Sequence, residues 1–277
     1  MLLSDLVAAR FAGEPSTAID DLPRSPTIRA MLEHRTCRDY LDQPLEDGLL
    51  DLVLAAAFST PSKSDLQQCS VVVVDDPVRR AAIAELIPTM PWIADCARFL
   101  LFCGDSRRIR GVAEQQETEF ANDHLDAFLN AAGDAATHLS SFIWAAESVG
   151  LGTCPISVVR NHIAEVAQIV ELPQHVFPFA GLCVGWPREL RRLSPRLPTT
   201  VTVHRDVYDD SEAPNLIADY DKRRAGAYQP PDDQQLDTDR WGVAEFYGWS
   251  TEKSRMVARR ERDQLAEFLT DQGFGLS

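Results

Sequence analysis

Residues 145–198 read AAESVGLGTCPISVVRNHIAEVAQIVELPQHVFPFAGLCVGWPRELRRLSPRLP, and the order of elements in this stretch decides the fold. Its opening is dense in small residues, continues a helical pattern and ends at Gly150 and Gly152, where glycine suits the turn that closes a helix. A short extended piece follows. A helix then opens at Arg160 and Asn161 and runs to Leu172, where Pro173 stops it. Val176–Gly185 is apolar on both faces and reads as a buried strand. The stretch closes on Ser194-Pro195-Arg196, a cationic turn fixed by its proline. Backbone N–H groups at Ile156, Ser157 and Val158, together with Arg196, could hold a phosphorylated planar molecule. Glycines after a helix can equally be plain caps, and LPQHVFP a helix stop leading into a strand.

Outward from this stretch, Asp123–Val149 is the longest helical pattern. Leu125, Phe128, Leu129, Ala132, Ala136, Leu139, Phe142, Ile143 and Ala146 form its apolar stripe, which suits a core or subunit-contact helix. Before it, Thr27–His34 and Leu45–Phe58 read as helices. Ser70–Asp76 (SVVVVDD) reads as a fully buried strand, Pro77–Ile87 as a helix with proline at its first position, and Arg98–Cys103 (RFLLFC) as a second buried strand. After it, Glu212–Ala225 predicts a helix, Gln229–Asp239 a loop, and Thr251–Gln272 one charged terminal helix. Helices interleaved with few, fully apolar strands indicate an α/β or α+β sandwich. Residues 1–26 read as an N-terminal helical extension with a connector carrying Pro15, Pro23 and Pro26. Residues 27–208 read as the main domain, and 209–277 as a C-terminal helical extension packing on that domain or on a partner subunit.

The 277 residues carry a formal net charge of −15, which opposes nonspecific binding to nucleic acid or to an anionic membrane. An anionic ligand must therefore be held by a local cluster of arginines; lysine occurs only at 63, 222 and 253. Six cysteines without a CxxC pair fit a reduced, cytoplasmic protein. The N-terminus has Asp5 and no long apolar core, so no signal peptide is expected, and no apolar run is long enough for a transmembrane helix. The six histidines show no HExxH spacing, so no metal site is expected. Phosphate loops of the GxGxxG and GxxxxGK[ST] kinds are absent.

Two further segments carry candidate chemistry. In His34-Arg35-Thr36-Cys37-Arg38-Asp39-Tyr40, Arg35 and Arg38 can present two guanidinium groups to one ligand, with Thr36 adding a hydroxyl. The alternative is a helix C-terminus at which cations favour the negative end of the dipole. Pro61-Ser62-Lys63-Ser64-Asp65-Leu66-Gln67-Gln68 is a polar loop ahead of a strand, dense in donors.

Taken in order, HRTCRDY, TPSKSDLQQCSVVVV, AAESVGLG, RNH, LPQHVFPFAGLCVGWP and SPRLP resemble the nitroreductase family of FMN-dependent oxidoreductases. The likeness is closest to its larger NADPH-dependent nitroreductase and flavin reductase subgroup. The resemblance implies an α+β nitroreductase-like fold, a central mixed sheet flanked by helices, and an intertwined homodimer with FMN at each subunit interface. Carried over by position, Arg35 and Arg196 hold the FMN phosphate with His34 and Thr36 beside it, and Arg38 lies near the N1/C2=O edge of the ring. Ser62 and Ser64, with Gln67, reach FMN from the partner chain, and Ile156, Ser157 and Val158 lie against the ring near N5. NADPH or NADH serves as electron donor, and Arg223, Arg224 and Arg240 are candidates for a 2′-phosphate contact. The implied reaction is ping-pong hydride transfer to a nitroaromatic, quinone or flavin, with no catalytic side chain required. The alternatives are a specialised member with an altered pocket, such as one for reductive dehalogenation, and a flavin carrier or regulator without turnover. Three positions depart from the pattern: the family's K-P-R lysine is Ser194, its Gly-Gly pair is Ser157-Val158, and its Gln-Lys-His segment is Met90-Pro91-Trp92.

Overall fold

A computed structural model describes residues 2–11, 13, 25–189 and 192–277. Pro15 and Pro23 of the expected connector, and Leu190 and Arg191 of the arginine-rich turn, lie outside the described residues. In chain order the elements are α1 (Leu3–Phe11), α2 (Pro26–Glu33), α3 (Asp47–Phe58), β1 (Cys69–Val73), α4 (Pro77–Leu86), α5 (Trp92–Asp95), β2 (Arg98–Asp105), α6 (Arg107–Gln115) and α7 (Leu125–Ser148). They continue with β3 (Gly152–Ile156), α8 (Ile163–Ile169), β4 (Val176–Gly185), α9 (Thr199–Thr202), α10 (Ala213–Ala227), α11 (Thr238–Trp241), α12 (Trp249–Val257) and α13 (Leu265–Asp271). The chain divides into two units, one of residues 1–34 with 192–261, the other of residues 35–191 with 262–277.

The second unit is built on a four-stranded sheet of order β1-β2-β4-β3. The expected mixed sheet is antiparallel through all four strands, and among the described residues parallel pairing is confined to the isolated bridge between Thr36 and Thr153. Alternation along β2 sorts its side chains between two cores: Phe99, Leu101 and Cys103 meet Ile83, Ile87 and Ile93 of the α4–α5 region on one face. Leu100 and Phe102 meet α3 and α7 on the other, where Phe102 and Phe142 pack edge to face at 5.8 Å. Burying each such Phe is worth about 1.5–3 kcal/mol, so the two covered faces of β2 anchor the unit.

Local chemistry explains most boundaries. Pro77 opens α4, and the Asp76 carboxylate accepts from Val78 N–H at 2.9 Å, an N-cap ahead of a proline. Ser25 caps α2 in the same way, ahead of Pro26. Gly150, at φ +88°, ends the chain's longest helix in the left-handed conformation. β4 occupies the range read from its apolar run.

Four expectations need correction. The Ser70–Asp76 strand is not fully buried: β1 runs from Cys69 to Val73 at the sheet edge, with Ser70–Val73 half-buried. The helix expected from Asn161 begins at Ile163, because Ser157–His162 first form a 3₁₀ turn and His162 (φ −127°, ψ 44°) is outside the helical region. Leu125 and Leu129 of the α7 stripe are exposed, and the buried face carries Asp134 and His138 instead. The single terminal helix is two, α12 and α13, separated where Arg262 adopts φ +63°, which no right-handed helix accommodates. The segment from Arg262 onward belongs to the sheet-bearing unit, where Phe268, Leu269 and Phe274 join Phe177 in a third core.

Candidate functional site

In the sheet-bearing unit, residues 35–40 of the HRTCRDY segment run beside β3. Thr36 bridges Thr153, and Cys37 N–H donates to Thr153 O at 2.8 Å. This close approach requires Gly152, since a Cβ there would stand 2.6 Å from Cys37 Cβ. Tyr40 bridges Pro187, and its buried hydroxyl donates to the Cys37 carbonyl at 2.9 Å. Burial, reinforced by nearby thiols, pushes the phenol pKa well up, so Tyr40 stays neutral and structural.

With Cys37 turned inward and buried, Arg38 is exposed, and its guanidinium lies 5.5 Å from the Trp92 ring centroid. The neighbouring Asp39 is taken by Arg188 at 3.2 Å, and among the described residues Arg38 has no carboxylate partner. Trp92 and Met90 pack on the same cluster as Cys154, Ile156 and Val158. The structure thus brings together Arg38, the Met90–Trp92 departure and the Ile156–Val158 segment. Burial pushes the Cys154 thiol up to about 11, against the lowering influence of Arg38 and Trp92, so it is no thiolate at neutral pH.

Ile156 is the last residue of β3 and stands opposite Gly181. Ser157 and Val158 open the 3₁₀ turn, where first-turn amides have no partner within the turn. The Ser157 hydroxyl accepts from Arg262 at 3.2 Å, a contact hidden from the sequence by the long separation of the two residues. Arg160 turns inward, donating to the Phe179 carbonyl and lying 5.6 Å over the Phe179 ring. Burial and the nearby Arg262 lower its pKa.

The Pro61–Gln68 loop is organised by a residue that sequence reasoning missed, Asp134 of α7, which is 3% exposed. Its carboxylate accepts from Ser62 Oγ at 2.7 Å, Lys63 N–H at 3.0 Å and Gln68 N–H at 2.8 Å. Ser62 Oγ also accepts from Gln67 N–H at 2.8 Å, so the Ser62 hydroxyl proton and one lone pair are already engaged. The Gln67 side chain donates to Asp65, while Ser64 is exposed on the turn at φ +52°. The signal for Asp134 was an acidic residue interrupting an apolar stripe.

In the other unit, His34 and the Ser194–Arg196 turn are joined by Arg10 of α1, a second residue the sequence did not single out. Arg10 is 4% exposed and donates to the carbonyls of Leu32, His34 and Ser194, while its own carbonyl accepts from Arg196 N–H. Tyr220 Oη donates to Pro195 O at 3.1 Å. The Arg196 side chain is exposed and has no carboxylate partner among the described residues. Of the three arginines considered for a 2′-phosphate, Arg224 pairs with Glu252 at 3.3 Å. Arg240 lies 4.7 Å over Trp241, and Arg223 is exposed.

Among the described residues there is no group of His, Cys, Asp or Glu that could hold a metal ion, and all six cysteines are buried. No helix among the described residues is long and apolar enough to cross a membrane.

The model of the Nitroreductase family matches residues 31–186, and that of the Nitroreductase family, C-terminal domain, matches residues 194–277. The chain is 34% identical over 251 residues to an FMN reductase (NAD(P)H) of Bacillus subtilis, covering 89% of this chain and 97% of that protein. It is 33% identical over 251 residues to an oxygen-insensitive NADPH nitroreductase of Salmonella typhimurium, covering 90% and 98%. The solved structure of NfrA2 from B. megaterium superposes with a TM-score of 0.83 at 32% identity, covering 92% of this chain and all of that one. By sequence and by fold, the chain belongs to the nitroreductase family.

Proposed function

We propose that this protein is an FMN-dependent oxidoreductase that takes hydride from NADPH or NADH and passes it to a nitroaromatic, a quinone or a flavin. The observation that carries the reading is Arg38: an exposed guanidinium beside Trp92 and Cys154, with no carboxylate partner among the described residues, in a chain of net charge −15. Such a cation suits an anionic ring edge, and the exposed Arg196 guanidinium suits a phosphate, so the residues present fit FMN.

FMN supplies reversible two-electron hydride chemistry when bound. The chain's own residues bind and orient it, within residues 27–208. Arg35 and Arg196 hold the phosphate, with His34 and Thr36 beside it and Ser194 lending no charge. Arg38 favours negative charge at the ring edge. The Ser157 and Val158 amides and the Ile156–Val158 surface meet the ring, and their bulk relative to a Gly-Gly pair narrows the acceptors that can stack there. Ser64, and Ser62 and Gln67 in their Asp134-held loop, serve the site of a partner subunit in a homodimer. The exposed Leu52 and Phe58 of α3 and Leu129 of α7 support such a dimer, since exposed apolar side chains on packed helices invite burial. Donor and acceptor use the site in turn, which gives ping-pong kinetics.

The test is an anaerobic half-reaction. The purified protein carries FMN near one per chain, NADPH or NADH bleaches its flavin bands, and a nitroaromatic or quinone restores them. A flavin that neither nucleotide bleaches leaves a carrier instead of an enzyme. Arg196→Ala weakens FMN binding by roughly 10- to 150-fold, as expected for one charge-assisted contact of about 1.5–3 kcal/mol, while Arg240→Ala leaves it unchanged. Equal affinities in the two variants refute the phosphate assignment.

A further inference from the structure

Helix α1 precedes residue 31, where the match to the family model begins, yet its Arg10 is among the most buried charged residues described. Its Nε and Nη2 donate to Leu32 O at 3.0 and 2.7 Å, Nη2 also to His34 O at 2.5 Å, and Nη1 to Ser194 O at 2.8 Å. The Arg10 carbonyl, in the last turn of α1, accepts from Arg196 N–H at 2.5 Å. With Tyr220 on Pro195 O, a backbone group of each of three consecutive residues, 194 to 196, is held in place.

These contacts have an electrostatic consequence. Leu32 and His34 present carbonyl oxygens at the C-terminal, negative end of α2, and Ser194 O adds another partial negative charge. Unopposed, they would repel an anion bound beside His34 and Arg196. Arg10 places a guanidinium among all three. The arrangement matters in this chain because position 194 carries serine where the family motif has lysine.

We propose that Arg10 is a positioning residue for the phosphate end of the FMN site: it braces the Ser194–Arg196 turn and supplies the positive charge that position 194 lacks. The inference rests on the phosphate assignment made above. In this arrangement Arg10 is not itself a phosphate ligand: four of its five guanidinium N–H groups donate to backbone carbonyls. It acts through Arg196 and through the local potential.

The test compares FMN with riboflavin, which has the same ring and no phosphate. Flavin is removed from the purified full-length protein, and both ligands are titrated by flavin fluorescence into wild type, Arg10→Met, Arg10→Lys and Arg10→Met/Ser194→Lys. Thermal unfolding is recorded for each. The expected result is an FMN Kd raised about tenfold in Arg10→Met with riboflavin within about twofold, the loss of one charge-assisted interaction. Arg10→Lys keeps most of the FMN affinity, and Ser194→Lys restores it in the Arg10→Met background. If Arg10→Met does not fold, Arg10→Gln, which keeps donors but not charge, must show the same loss of FMN preference. Equal weakening of FMN and riboflavin reduces Arg10 to a general brace and overturns the proposal, as does an unchanged FMN affinity. A wild-type protein that binds both flavins equally overturns the phosphate assignment itself, a different failure from an FMN preference that survives in the variants.

Discussion

Replacing Asp134 with alanine tests how the Pro61–Gln68 loop is held. The loop contains three non-glycine residues at positive φ, Ser64 (52°), Asp65 (57°) and Gln67 (52°). Each left-handed residue costs about 1–2 kcal/mol, so the loop conformation carries roughly 3–6 kcal/mol of strain. Against it stand the bonds from Ser62 Oγ, Lys63 N–H and Gln68 N–H to one buried carboxylate. Bonds to a charged acceptor contribute about 1.5–3 kcal/mol each, which exceeds the strain only if all of them form together. Removing the carboxylate removes the bonds, but the freed loop also relaxes and recovers most of its strain. The net loss is therefore about 2–4 kcal/mol, well short of what the bonds alone would suggest.

For a chain of this size that loss lowers Tm by roughly 5–12 °C, measured by calorimetry. Relaxation also exposes the backbone after Lys63, so trypsin cuts Asp134→Ala there under conditions that leave the wild type intact. Ser62→Ala alone costs about 1–2 kcal/mol, and in the Asp134→Ala background it costs almost nothing, because its partner is gone. Additive losses in this cycle would show that Ser62 and Asp134 act independently. A Tm within about 1 °C of wild type for Asp134→Ala would refute the reasoning, since it would mean that the loop keeps its strained form without the carboxylate.

Trp92→Leu removes the ring over which Arg38 lies and weakens FMN binding about two- to fivefold, the worth of an exposed cation–π contact. Arg38→Ala then adds less in that background than in wild type, and full additivity in fluorescence titrations would show the contact to be idle. Asp123, hydrogen-bonded by Arg110 at 2.9 and 2.5 Å, has its carboxyl pKa lowered chiefly by that bond. A depressed carboxyl contributes stability that is present above the unfolded value near ~3.9 and lost as pH falls through the folded value. Both the bond and its charge are partly exposed to solvent, so the contribution stays below about 1 kcal/mol. Tm therefore falls between about pH 5 and pH 3 more steeply in wild type than in Asp123→Asn, and parallel melting profiles would refute the assignment.

What the sequence shows and what it hides follow from how local each cause is. The β4 strand is legible because a ten-residue apolar run is bounded by Pro173 and by Trp186-Pro187, cues within reach of the segment itself. The start of α4 is legible for the same reason, with Asp76 and Pro77 adjacent. The run SVVVVDD gives no such help: four valines suit an edge strand as well as a central one, and only the partners of β1 decide which it is. Thr251–Gln272 contains no proline and only one glycine neighbour, Gly273, so nothing local announces that Arg262 turns left-handed and splits the helix.

The candidate site divides along the same line. The contact residues proposed for it lie in short linear segments, HRTCRDY, PSKSDLQQ, PISVV and SPR, and can be read in order along the chain. The residues that hold those segments lie elsewhere: Asp134 is 72 positions from Ser62, and Arg10 is 184 positions from Ser194. Periodicity could not find them, because it scores a polar residue in an apolar stripe as noise. Burial energetics treats the same residue differently. A charged group taken out of water costs several kcal/mol unless several partners meet it, so one that persists on a buried helix face must be organising backbone from another part of the chain. Asp134 gathers the Ser62–Gln68 loop and Arg10 gathers His34 with Ser194–Arg196. In this chain the charge that breaks a helix's apolar pattern marks what holds these segments, as the arginine and serine motifs mark the contacts proposed for the ligand.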